Sequence, residues 1–95
     1  MRKLLTENEL AEVPGKLPGW TVEGKALTRT VEFPDFPAAM VFVNKLAEVA
    51  EELGHHPDIN IRYNKVKLLL STHDSGGVTR KDMELAQRAS ELGAG

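Results

Sequence analysis

The stretch DFPAAMVFVNKLAEVAEELGHHPDINIRYNKVKLLLST, residues 35–72, changes its hydrophobic period from helical to extended within one tract, and that change sets the fold class. Phe36, Ala39, Val43, Leu46, Ala50 and Leu53 recur at spacings of three and four, which predicts one apolar face of a long helix. Asp35 is suited to the N-cap, Pro37 to the first turn, and Gly54 to a left-handed exit. After Pro57 the pattern alternates: Asp58 to Tyr63 reads as one strand and Val66 to Thr72 as a second, with Asn64-Lys65 as the tight turn. Val66, Leu68 and Leu70 share one side of that second strand, Lys67, Leu69 and Ser71 the other.

Working outward, Thr6-Glu7-Asn8-Glu9 has the form of a capping box and predicts a first helix that ends near Pro14-Gly15. Gly19 to Glu23 and Ala26 to Phe33 predict a second hairpin around Gly24-Lys25. Leu27, Arg29, Val31 and Phe33 fall on one of its faces, and Thr28, Thr30 and Glu32 on the other; Arg29 interrupts an otherwise apolar row. Asp74 to Val78 reads as a loop. Thr79 caps a last helix, with Asp82 at its third position and a buried stripe of Leu85, Ala86, Ala89 and Leu92. Two hairpins and three amphipathic helices predict one α+β domain over residues 1–95, a four-stranded antiparallel sheet covered by helices on one face.

The chain has 95 residues, 12 basic and 14 acidic, for a net charge of −2. That balance argues against a nucleic-acid partner, which needs a concentrated positive field. With no cysteine, disulfides and thiolate–metal sites are excluded. The N-terminal apolar run is too short for a signal-peptide core, and Ala38 to Val43, the longest apolar stretch, is far short of a membrane span. The expectation is a soluble, cytoplasmic protein without membrane contact. A domain this small has a thin stability margin, and its uncovered sheet face needs solvent or a partner, so self-association is expected.

His55, His56 and His73 all lie at element ends. With the turn centred on Asn64-Lys65, Tyr63 pairs with Val66 and the ladder continues to set His56 opposite His73. Imidazole titrates near physiological pH, so such a group suits reversible proton transfer. Three imidazoles also suit zinc, and the ordinary alternative is a set of surface or capping histidines near a helix C-terminus. Spacing leaves all three open. Glu51, four residues before His55, could orient an imidazole or be a plain solvated carboxylate. Trp20 suits a core or interface as well as a lid over a planar ligand. Ser71 and Thr72 could turn hydroxyls toward the site, Tyr63 reads as packing, and Gly76-Gly77 lacks the spacing of a phosphate loop.

Taken together, Glu51-x-x-x-His55-His56-Pro57, five residues, Tyr63, nine residues, His73, eight residues and Asp82 resembles the signature of the pterin-4a-carbinolamine dehydratases. Tyr63-Asn64-Lys65-Val66, Ser71-Thr72-His73 and the Gly-Trp context of Trp20 are similar to that family too. Ile59 departs from it, standing where many members carry an aromatic. The resemblance implies dimers, or tetramers built from them, and dehydration of a 4a-hydroxytetrahydropterin to a quinonoid dihydropterin, in tetrahydrobiopterin recycling after aromatic amino acid hydroxylation. It implies no metal and no organic cofactor. It carries catalysis onto His55, His56 and His73, and pterin binding onto Glu51, Ser71, Thr72 and Trp20, with Asp82 near the site. The alternative it carries is a non-catalytic interaction module, since similar proteins stabilise a transcription-factor dimer in animals.

Overall fold

The computed structural model describes residues 3–94, in the order α1 (Glu7–Ala11), α2 (Val13–Lys16), β1 (Thr21–Glu23), β2 (Ala26–Glu32), α3 (Phe36–Leu53), β3 (Asp58–Arg62), β4 (Lys65–Leu70) and α4 (Arg80–Ala89). A 3-10 turn over His73–Ser75 and a terminal π-turn over Ser90–Ala94 complete it. The four strands run antiparallel in the order β1-β2-β4-β3, so the two hairpins are joined along β2 and β4. Leu27 pairs with Leu70 and Val31 with Val66 across that seam, and these four side chains are buried together. They meet Ala39, Phe42, Leu46 and Val49 of α3 and Leu85, Ala86 and Ala89 of α4 in the core. Each such Leu withdrawn from water contributes about 1.5–3 kcal/mol. On the other face Thr30, Glu32 and Lys65 are exposed.

The expected first helix is two. Thr6 accepts from Glu9 N–H and Glu9 accepts from Thr6 N–H, the predicted capping box, but α1 ends at Ala11. Pro14 does not terminate a helix; it sits in the first turn of α2, where its missing N–H costs nothing. The Thr6 backbone bond holds the Glu9 carboxyl below its usual range, so the stability it lends is present above the unfolded value and is lost as pH falls through the folded one. Arg29, the polar residue in an apolar row, extends to the sheet margin. Its Nη1 donates to Pro18 O (3.2 Å), and its guanidinium lies against Gly19, where any Cβ would come within 2.8 Å of Arg29 Cζ.

Asp35 caps α3 by accepting from Ala38 N–H (2.9 Å), as its sequence predicts. The expected stripe needs one correction at its start. Phe36 is 44% exposed, one turn ahead of Ala39, the first covered residue, and Phe42 and Val49 carry the core contact instead. Phe42 packs on Phe33 with ring centroids 5.2 Å apart. At the other end Gly54 adopts φ 64; its N–H donates to Glu51 O (3.2 Å) and that of His55 to Ala50 O (3.0 Å). This pair of bonds closes the helix through a left-handed residue and fixes the exit of the chain.

The β3–β4 hairpin turns at Tyr63-Asn64, one residue earlier than expected. Arg62 pairs with Lys65 and Asp58 with Leu69, a register two residues away from the predicted one. A shift of two keeps every side chain on its face, so the hydrophobic pattern cannot distinguish the two registers. A contact with the other hairpin distinguishes them: Asn64 Nδ2 donates to Phe33 O (2.8 Å), and Phe33 N–H donates to Asn64 O (2.8 Å). Tyr63 takes up the left-handed backbone, φ 51, that this turn demands. Pairing stops at Asp58, so His56 does not face His73 across a ladder.

Gly54 and Gly15 separate conformational strain from crowding, since a Cβ at either meets nothing within 4 Å. Gly54→Ala is expected to lower stability by about 1–2 kcal/mol, the cost of a left-handed non-glycine residue. Gly15→Ala, in a helix at ordinary φ, is expected to raise it by about 0.4–1 kcal/mol. Urea unfolding midpoints of the two variants check both signs.

Candidate active site

Three segment ends meet beside the C-terminus of α3: the Gly54-His55-His56 exit, the end of β4 at Ser71-Thr72, and the 3-10 turn that begins at His73. They enclose a cleft of about 210 Å³ lined by Gly54, His55, His56, Ser71, Thr72, His73 and Asp74. The three histidines therefore do converge, though by lining one cleft rather than by pairing across a ladder. The turn is held by backbone bonds: Thr72 N–H donates to Gly77 O (2.8 Å), and the N–H groups of Ser75 and Gly76 donate to Thr72 O (3.1 and 2.9 Å). Gly76, at φ 78, completes the reversal.

His55 and His56 are held very differently. The His55 side chain is 13% exposed, and its Nε2 lies 2.5 Å from Oδ1 of Asp82, which is fully buried. The other oxygen of that carboxylate accepts from Thr72 Oγ1–H (2.8 Å) and from the Thr79 N–H (2.9 Å). Thr72 Oγ1 also lies 2.8 Å from Thr79 Oγ1. Among the described residues no buried side-chain nitrogen or oxygen lacks a hydrogen-bond partner. His56 Nε2 lies 2.5 Å from Glu51 Oε2, and both side chains are mostly exposed, at 65% and 76%. His55 is thus anchored from below, whereas His56 and Glu51 form a solvent-facing pair that a ligand can reach.

The other sequence candidates divide. Ser71 lines the cleft while its hydroxyl donates to Lys25 O (2.8 Å), tying the site to the first hairpin. Asp82 is not among the residues that line the cleft; helix capping buries its carboxylate beside them, in contact with His55. Trp20 is not brought to the cleft at all: it is fully buried in the core, and its Nε1 donates to Ser90 Oγ (3.0 Å). Tyr63 is 65% exposed at the hairpin turn, not packed as expected. Asp74, the carboxylate among the lining residues, and Thr79, the partner of Thr72, carry no motif that marks them as site residues in the sequence. The capping-box spacing of Thr79 and Asp82 was a visible signal that the two would meet, but nothing in the spacing linked them to Thr72. Among the described residues no three His, Asp or Glu side chains are grouped as a metal-ligand set.

The arrangement offers imidazoles over an open cleft, one of them backed by a buried carboxylate, a composition suited to moving protons to and from a small ligand.

Comparison with known proteins places the chain in a family. Residues 3–92 match the family model described as pterin 4 alpha carbinolamine dehydratase. A protein of Nostoc sp. strain PCC 7120 is 52% identical over 92 residues, covering 97% of this chain and 99% of its own length. One from Thermomicrobium roseum is 51% identical over 88 residues, covering 93% and 95%. Both carry the provisional name pterin-4-alpha-carbinolamine dehydratase. The crystal structure of a Brucella melitensis protein, described as transcriptional coactivator/pterin dehydratase, superposes with a TM-score of 0.91 at 40% identity, covering 98% of this chain and all of that one. A pterin dehydratase-like protein described as a RuBisCO assembly factor of the alpha-carboxysome superposes with a TM-score of 0.67 at 27% identity, covering 78% and 88%. Sequence match, relatives and fold agree along nearly the whole length, and the chain belongs to the pterin-4a-carbinolamine dehydratase family.

Proposed function

We propose that this protein removes water from a 4a-hydroxytetrahydropterin, giving a quinonoid dihydropterin, and that its histidines perform the acid–base chemistry. The observation that carries the proposal is the meeting of His55, His56 and His73 in one cleft. The reaction is a redox-neutral elimination. The proton on the ring nitrogen next to C4a leaves, its bonding pair forms the C=N double bond, and the C4a–O bond breaks as the oxygen takes a second proton and departs as water. A neutral imidazole takes the first proton and an imidazolium supplies the second. His55 and His73 are the proton carriers in this reading. His56, with Glu51, positions the pterin, and Ser71 and Thr72 line its slot. No metal or organic cofactor enters the scheme. The activity belongs to tetrahydropterin recycling in the cytoplasm.

Self-association is part of the proposal. β3 is an edge strand whose Ile61 is 38% exposed, and Val41 on the outer side of α3 is 55% exposed. Covering both would suit a homodimer or homotetramer. A second reading, a non-catalytic interaction module, is favoured by the coactivator and assembly-factor descriptions attached to the two solved neighbours.

The decay of 4a-hydroxytetrahydropterin, followed by ultraviolet absorbance with and without chelator, separates these readings. The expected result is acceleration that chelator leaves untouched. His55→Ala and His73→Ala should each cut kcat by about 10²–10⁴-fold, while His56→Ala chiefly raises KM. Turnover by His55→Ala at the full rate would remove its proton-carrying role. A folded wild-type chain that does not accelerate the decay would favour the interaction module.

Sedimentation equilibrium should give two or four times the monomer mass. A monomer at micromolar concentration would rule out the proposed assembly.

A further inference from the structure

The hydrogen-bond network beneath the cleft has only one consistent direction. A hydroxyl has a single hydrogen to give. Thr72 gives its own to Asp82 Oδ2 (2.8 Å), so the 2.8 Å contact between the two threonine oxygens must use the hydrogen of Thr79. The chain therefore runs from Thr79 O–H to Thr72 O–H to Asp82. The Thr79 backbone N–H donates to the same Oδ2 (2.9 Å), so that oxygen receives two hydrogens. Thr79 Oγ1 accepts in turn from Lys81 N–H (3.3 Å), which orients its hydroxyl. An aspartate carboxylate has no hydrogen to give, and each of its two oxygens here has a partner. Its Oδ1, 2.5 Å from His55 Nε2, then takes a hydrogen from the imidazole rather than giving one.

From this geometry we infer that His55 carries its proton on Nε2 and works through Nδ1, and that Thr79, outside the cleft, is a positioning residue for that tautomer. Neutral imidazole has one N–H and one lone pair. With Nε2–H committed to Asp82, the lone pair that takes the proton from the pterin ring nitrogen is on Nδ1. Once Nδ1 is protonated, the imidazolium has a buried anion at its other nitrogen, the arrangement by which a base is oriented and its charged form stabilised. His55 is then the base of the elimination and His73 the acid that protonates the departing oxygen. These roles rest on the dehydratase reading; the tautomer rests on the hydrogen bonds alone.

The test uses 15N-labelled protein at neutral pH and long-range proton–nitrogen correlation of the imidazole rings, alongside the dehydration assay. Wild type is expected to show the Nε2–H form at His55. In Asp82→Asn the carboxamide oxygen would take the bonds from Thr72 and Thr79, turning its NH₂ toward Nε2 and moving the ring proton to Nδ1. That variant should lose about 10²–10⁴-fold in kcat with its fold retained. Thr79→Val should give a mixture of both tautomers with a partial loss of kcat, and Thr79→Ser should restore both the wild-type spectrum and the rate. An Nδ1–H form at His55 in the wild type overturns the inference whatever the activity. So does an Asp82→Asn protein that shows Nδ1–H and turns over at the wild-type rate. A wild-type Nε2–H spectrum from a protein that does not dehydrate the pterin supports the tautomer and overturns the dehydratase reading instead.

Discussion

The buried carboxylate of Asp82 is the constraint on which the site is built. Removing a charge from water costs several kcal/mol unless hydrogen bonds replace the lost hydration. Here the replacements come from three separate segments: Thr79 at the start of α4, Thr72 at the end of β4, and His55 at the exit from α3. Each segment must stop where it does for the carboxylate to be satisfied. The carboxylate that completes the capping box of α4 and the group that backs His55 belong to one residue, Asp82, so helix capping and site geometry cannot vary independently.

A second constraint fixes the approach of the chain to that point. Gly54 accepts the left-handed backbone that a β-carbon would resist, and the His55 N–H to Ala50 bond then sets the direction of the histidine pair. Lys81 Nζ reaches across from α4 to donate to Leu53 O (2.6 Å), tying the same turn to the helix that carries Asp82. His56 has no such support from below. Its partner Glu51 is itself exposed, so the pair faces solvent. One imidazole is thus half-enclosed and backed by a buried carboxylate, and the other stands in solvent beside an exposed one.

The fold is shared among proteins described by different roles, a pterin dehydratase, a transcriptional coactivator and a RuBisCO assembly factor. Fold alone therefore does not select among them, and the site must. In this chain three histidines line the cleft, and the buried carboxylate of Asp82 contacts one of them, His55.

Local physics made much of this legible in the sequence. The apolar period of α3, the Asp35 and Thr79 caps, the Gly54 exit and the alternation of the strands each depend on neighbours a few residues away. The spaced set of Glu51, His55, His56, Tyr63, His73 and Asp82 marked the family. What spacing did not determine was anything decided by contact between distant segments. The hairpin register turned on Asn64 meeting Phe33, because a shift of two residues leaves the hydrophobic pattern unchanged. Trp20 is buried in the core, where Ser90, seventy residues away, accepts its indole N–H. The sequence by itself determined which elements form and which side chains are available; the tertiary structure decided that the histidines share a cleft, and that Asp82 is buried against His55. Helix and strand signals are local, whereas the partner of a buried charge is chosen by packing across the whole chain.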